Sequence, residues 1–123
     1  MITGLVTADR EAIIALSIRG FAGEEEFIEA VVDTGFNGFL TLPSATITNL
    51  GLPFVGVAPA ELGDGSTVTA NVFEAKAIWD NDEQSVLVLG AEGGPLVGMS
   101  LLFGYRLTIE VKDGGDATIE ALP

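Results

Sequence analysis

The stretch AVVDTGFNGFLTL, residues 30–42, decides how this chain is read, because it places a single acid, Asp33, between two apolar runs. Ala30-Val31-Val32 reads as the end of a strand, and Phe39-Leu40-Thr41-Leu42 as the start of the next. Between them, Thr34-Gly35 and Asn37-Gly38 supply turn chemistry. A carboxylate at a strand end, followed by Thr and Gly, can accept backbone N–H groups from the turn, while glycine lets another chain approach closely. Taken alone, the tripeptide also reads as a simple turn cap, so its meaning depends on the rest of the chain.

The chain has 123 residues, 48% of them hydrophobic, which suits one domain spanning residues 1–123. Eighteen acids against five bases give a formal charge of -13. That balance disfavours nucleic acid and anionic membrane surfaces as partners. With no cysteine and no histidine, thiol nucleophiles, Cys/His zinc sites, disulfides and histidine-based triads are excluded. Carboxylates, hydroxyls and a few cations remain for chemistry, and the sequence calls for no cofactor and no metal. The N-terminus lacks the pattern of a signal peptide, and no apolar run reaches membrane-spanning length, so a soluble, cytoplasmic protein is expected. The densest acidic run, Glu24-Glu25-Glu26, reads as a solvated turn or strand edge.

Apolar runs of four to eight residues, punctuated by Gly, Asp and Asn, predict an all-β fold with one or two short helices. Strands are expected on either side of a turn at Ala8-Asp9-Arg10, and a third strand runs from a turn at Ala22-Gly23 into Asp33. A short helix is expected over 44–50, from Pro43-Ser44 to Gly51. Gly63-Asp64-Gly65 reads as a hairpin tip, and the arm that follows alternates Val68, Ala70, Val72 with Thr67, Thr69, Asn71. A strand over 85–90, a glycine-rich loop, Leu96-Val97-Gly98 and a second short helix over 99–103 come next. Arms at 106–111 and 117–122 form a last hairpin, turned by Lys112-Asp113-Gly114-Gly115.

Taken in order, Asp33-Thr34-Gly35 after two apolar residues, the glycine-tipped hairpin at Gly63, Asp64 and Gly65, and Leu96-Val97-Gly98 before a short helix resemble the retropepsin-like aspartic proteases. These are the single-lobe relatives of the retroviral enzymes. The resemblance covers roughly residues 11–105. It implies a retropepsin-like acid protease lobe, a closed, orthogonal β-barrel with a flap hairpin, here extended by an extra C-terminal β-hairpin. It further implies that Asp33 is the catalytic carboxylate and that Thr34 and Gly35 form the active-site loop. Gly63, Asp64 and Gly65 become the flap tip, and Leu96, Val97 and Gly98 a second signature packed behind the loop. In that family two aspartates share one proton: one activates a water and the other protonates the scissile carbonyl. Asp-Thr-Gly occurs once in this chain, so the resemblance implies a homodimer acting on an extended polypeptide as an aspartic endopeptidase.

Three departures stand out. Phe36 follows the motif where a small residue is usual, so it either fills part of a pocket or turns away. Asn37 and Met99 replace the acid and arginine that retroviral members pair across the dimer. The C-terminal hairpin has three possible places: it replaces the family's interleaved terminal sheet, covers it within one subunit, or enters the cleft, and the last two weaken activity. Phe36, Leu40 and the flap arms are the expected pocket walls. The alternative functional reading is a non-catalytic peptide-binding or assembly module on the same fold. An unrelated acidic β-domain, with Asp33 as a turn cap, stands behind it. No Asp-x-Asp-x-Asp-Gly loop supports a calcium role.

Overall fold

The computed structural model describes residues 1–61 and 64–123. Ten strands and two short helices follow one another as β1 (Ile2–Val6), β2 (Ala12–Arg19), β3 (Glu25–Val32), β4 (Leu40–Leu42), α1 (Ser44–Leu50), β5 (Phe54–Glu61), β6 (Thr67–Trp79), β7 (Asp82–Gly90), β8 (Leu96–Val97), α2 (Met99–Leu102), β9 (Tyr105–Ile109) and β10 (Asp116–Ala121). The fold is all-β, as the strand-and-turn pattern predicts.

Local chemistry accounts for the element boundaries. Gly51 ends α1 in the left-handed region, φ 61°, with its N–H on the carbonyls of Ile47 and Thr48, the usual glycine stop. Gly65 and Gly114 adopt φ 85° and 78° in their hairpin tips, a region that side chains with a Cβ avoid. At the first of these tips, the Asp64 carboxylate accepts the Ser66 N–H at 2.9 Å and its hydroxyl at 2.6 Å. These donors hold the Asp64 carboxyl below its ordinary range. Gly63, the other expected tip residue, lies outside the described residues.

The strands run in the order β5-β6-β7-β4-β8-β3-β2-β1-β10-β9, and an additional β6–β2 pairing closes β2, β3, β8, β4, β7 and β6 into a barrel. One edge of β2 is divided to make this possible. Its first half pairs with β1, through Ala12↔Val6, and its last turn of ladder with β6, through Ile18↔Ala77. The C-terminal hairpin lies outside the barrel. β10 pairs with β1 from Ile2↔Ile119 to Leu5↔Asp116, and β9 pairs with β10. β1 is thus enclosed between β2 and β10 of its own chain, and the hairpin extends the sheet beyond it with β9 at the edge.

The core follows from the alternation of the strands. Ile14, Leu16 and Ile18 of β2, Ala75, Ala77 and Trp79 of β6, and Val86 and Val88 of β7 face inward and join Leu50 of α1 and Ile119 of β10. A smaller cluster of Val6, Ala12 and Ala117 packs beside it, and Val32 touches both. The residue immediately before Asp33 is thus wedged between two packed groups, which anchors the loop that follows.

Candidate active site

Asp33 leaves β3 beside β8, and β8 is the strand that positions it. β8 runs parallel to β3, with Val31↔Leu96 and Val32↔Val97, and antiparallel to β4, with Leu40↔Val97. It therefore threads between the two strands that flank the loop 33–39. The ladder continues past the strand end: Val31 N–H donates to Pro95 O and Asp33 N–H to Val97 O, both at 2.9 Å. This two-residue repeat places Asp33 on the same side of the sheet as Val31. Within the loop, the Gly35 N–H donates to Asp33 Oδ1 at 2.9 Å, and the Phe36 N–H donates to Asp33 O at 3.2 Å. The carboxylate is half-buried, while Thr34 and Gly35 are exposed.

The second signature closes against the loop through its backbone. Gly98 N–H donates to Phe39 O at 3.1 Å, Met99 N–H to Phe36 O at 2.8 Å and Ser100 N–H to Gly38 O at 3.1 Å. The Ser100 hydroxyl adds a bond to Asn37 O at 2.6 Å. Gly98 makes this approach possible. A Cβ there would stand 2.3 Å from Gly38 O and 2.6 Å from Phe36 O, far inside van der Waals contact.

Phe36 turns back on its own loop. Its ring lies where Cβ atoms on Gly38 and Gly98 would stand, within 2.5 Å of both positions. The aromatic thus fills the space that two glycines leave open. Leu40, expected as a pocket wall, is fully buried and faces the core instead. The alternation of the three-residue strand Leu40–Leu42 is too short to tell its two faces apart in sequence.

Cross-strand pairs share a face, and the register traces two rows across six strands. One row joins Val32, Val97, Leu40, Val88, Phe73 and Phe54, and Val97, Leu40 and Val88 in it are fully buried. The other joins Val31, Leu96, Thr41, Leu89, Val72 and Gly56, with Leu96 and Thr41 linked by a bond from the Leu96 N–H to Thr41 Oγ1 at 2.9 Å. This second row lies on the Asp33 side. It continues along the β5–β6 hairpin as Ala58↔Ala70 and Ala60↔Val68, so an uncharged row runs from the Asp33 side of β3 into that hairpin. Thr41 is the polar residue that the sequence reading passed over. Its only signal is a hydroxyl in the middle of an apolar run, and its acceptor holds the second signature in register.

A groove of about 410 Å³ lies between α1 and the base of the β5–β6 hairpin, lined by residues that include Ser44, Ile47, Asn71, Phe73 and Glu92. Asp33 is not part of it. Ser44 donates its N–H and its hydroxyl to Glu92 at the groove's rim, at 3.2 and 2.6 Å, and these bonds lower the Glu92 carboxyl from its ordinary value. Among the described residues no helix is long and apolar enough to cross a membrane.

The barrel, the β5–β6 hairpin and the short helix behind the Asp33 loop define a retropepsin-like fold. Among solved structures, a crystal structure of a retropepsin-like aspartic protease from Rickettsia conorii matches with a TM-score of 0.59, covering 98% of this chain and 91% of that one at 16% identity. No family model and no curated protein matches the sequence. At that identity the likeness carries the fold, and the chemistry has to be argued from the site.

Proposed function

We propose that the protein is an aspartic endopeptidase that works as a homodimer, with Asp33 of each copy facing its mate. The observation that carries this reading is the setting of Asp33. The carboxylate is held by the Gly35 N–H at 2.9 Å, at the head of an uncharged face that leads to a flap hairpin. An extended peptide laid along that face meets backbone and small side chains rather than charge, which suits strand-like binding. The chain supplies one such carboxylate, and the second comes from the other copy.

Two carboxylates at hydrogen-bonding range share one proton, because two like charges are not both ionised easily there. The ionised member takes a proton from water, whose oxygen attacks the scissile carbonyl carbon, and the protonated member gives its proton to the carbonyl oxygen. Collapse of the tetrahedral intermediate, with proton transfer to the leaving nitrogen, releases an acid and an amine. Thr34 and Gly35 form the loop that carries Asp33, and the flap excludes water once peptide is bound. The many acids of each copy repel those of its mate until some are protonated, so assembly and the shared proton both favour mildly acid pH.

The test is cleavage of a peptide library between pH 3 and 8 by the wild type and by Asp33→Asn. The expected result is an acidic optimum that the substitution abolishes without loss of fold. Equal cleavage by both proteins, or activity rising steadily to pH 8, removes the shared-proton mechanism.

One observation favours the alternative, a non-catalytic peptide-binding or assembly module. β10 occupies the outer edge of β1, so the chain's first strand has no free edge to offer a partner. A strictly monomeric species from pH 4 to 7 in sedimentation decides for that reading.

A further inference from the structure

The groove beside α1 lies on the face of the β5–β6 hairpin turned away from Asp33. The register puts Gly56↔Val72, Ala58↔Ala70 and Ala60↔Val68 on the Asp33 side, so Phe54↔Phe73, Val57↔Asn71 and Pro59↔Thr69 take the opposite face. Asn71 and Phe73 line the groove from the hairpin, and Ile47 and Leu52 line it from α1 and the turn that follows. Phe54 meets Phe73 edge-on, with ring centroids 5.9 Å apart, and is 59% exposed, while Val57 is 62% exposed. The groove thus opens onto an apolar shelf, and its volume of about 410 Å³ is that of a ligand site.

Charge sets what this groove accepts. Residues 34–60 contain no Asp, Glu, Lys or Arg, and the groove's lining carries one charged side chain, Glu92. Both Ser44 donors fall on Glu92 Oε1, which leaves Oε2 for a guest. At the other end of α1, Glu24 Oε2 stands 3.4 Å from where a Cβ on Gly51, a lining residue, would lie, and the Ala22 N–H donates to Glu24 Oε1. Among the described residues no cation pairs with either carboxylate. An uncharged, partly apolar trough with a carboxylate at each end complements a guest that is cationic at its ends and apolar between them. The formal charge of -13 draws such a guest in.

We infer that the groove between α1 and the β5–β6 hairpin is a docking site for an extended polypeptide segment with a basic residue on each side of an apolar pair. The spacing follows from α1. Its seven residues span about 10 Å at a rise of roughly 1.5 Å per residue, which an extended chain covers in about three residues. The two basic residues therefore stand at i and i+3, reaching Glu92 and Glu24. Side chains of an extended segment alternate, so one member of the apolar pair enters the groove against Ile47 and Phe73 in either orientation. The site is separate from the row that leads to Asp33, and it stands whether or not Asp33 cleaves.

The test is an NMR titration of the Asp33→Asn protein, chosen so that no cleavage complicates it, with the peptide acetyl-Lys-Leu-Phe-Lys-amide. Amide shifts are expected at Ile47, Asn71, Phe73 and Glu92, with little change at Thr34 and Gly35. Acetyl-Glu-Leu-Phe-Glu-amide is expected to bind about tenfold more weakly, since two exposed attractions become repulsions. High salt is expected to narrow that gap. Glu92→Gln keeps an acceptor for the Ser44 donors while removing the charge, and is expected to reduce the preference several-fold. Phe54→Ser, at an exposed position, is expected to weaken both peptides. Four results each overturn the assignment: shifts centred on Thr34 and Gly35, equal affinity for the two peptides, a preference that Glu92→Gln leaves intact, or groove shifts that appear on concentrating the protein without peptide, as a second copy seated there would give.

Discussion

Gly98→Ala tests the packing of the second signature behind the Asp33 loop. The dihedral angles of Gly98, φ -107° and ψ -178°, lie in the extended region open to any residue, so backbone strain is not the obstacle. The obstacle is space: the new Cβ would stand 2.3 Å from Gly38 O, 2.6 Å from Phe36 O and 2.5 Å from Phe36 Cδ2. The ring can rotate aside, but the two carbonyls cannot move freely, because they accept Ser100 N–H and Met99 N–H at 3.1 and 2.8 Å. Overpacking typically costs about 1–3 kcal/mol, and loosening two backbone hydrogen bonds adds roughly 1 kcal/mol each. The reduced freedom of the unfolded chain offsets about 0.4–1 kcal/mol. The expected loss is therefore about 2–4 kcal/mol from these terms together, a large share of the stability of a small domain. Urea unfolding followed by fluorescence reads it directly, since Trp79 is the sole tryptophan and fully buried. Two controls bracket the result. Gly38→Ala meets only the far end of the Phe36 ring and is expected to lose less. Gly94→Ala meets nothing within 4 Å and is expected to be near neutral. A Gly98→Ala loss under about 1 kcal/mol, or one equal to that of Gly38→Ala, refutes the claim that backbone contact, rather than the ring, requires glycine here.

Other perturbations probe the neighbouring contacts. Phe36→Ala uncovers Gly38 and Gly98, and for a half-buried ring a loss of about 1–2 kcal/mol is expected, below the full-burial range; combined with Gly98→Ala it is expected to relieve part of that penalty, read by a double-mutant cycle. Thr41→Val leaves the Leu96 N–H without its acceptor, with an expected loss of about 1–3 kcal/mol in the same unfolding assay. Ser44→Ala removes the hydroxyl donor, the larger of the two Ser44 contributions that lower the Glu92 carboxyl from its ordinary value, and keeps the backbone N–H. A carboxyl lowered in the folded state adds stability that is present above its unfolded value and lost as pH falls through the folded one. The melting-temperature gap between wild type and Ser44→Ala is thus expected to be full at pH 7 and to shrink below about pH 4.5, and a gap that widens on acidification contradicts the contact.

How much of this was legible beforehand differs by element. The helix over 44–50 is found as Ser44–Leu50, because proline before it and glycine after it act within a few residues of chain. The two hairpins follow from Asp-Gly turns and alternating arms, also local signals. β8 is different: two residues long, it has no periodicity to read, and only its family-like signature marked the spot. The fate of Phe36 was open in sequence because a ring beside two glycines has several places to go.

From the sequence alone came the strand-and-turn composition, the lone Asp-Thr-Gly, and the removal of thiol and imidazole chemistry. These depend on residue type and near neighbours, which the chain carries in any conformation. Tertiary structure alone decided that β8 threads between β3 and β4, that Thr41 receives the Leu96 N–H, that Phe36 folds over Gly38 and Gly98, and that β10 seals β1. Each of these joins segments far apart along the chain. Which edges and cavities meet is settled by the packing of the whole, where every strand edge competes for the same few partners.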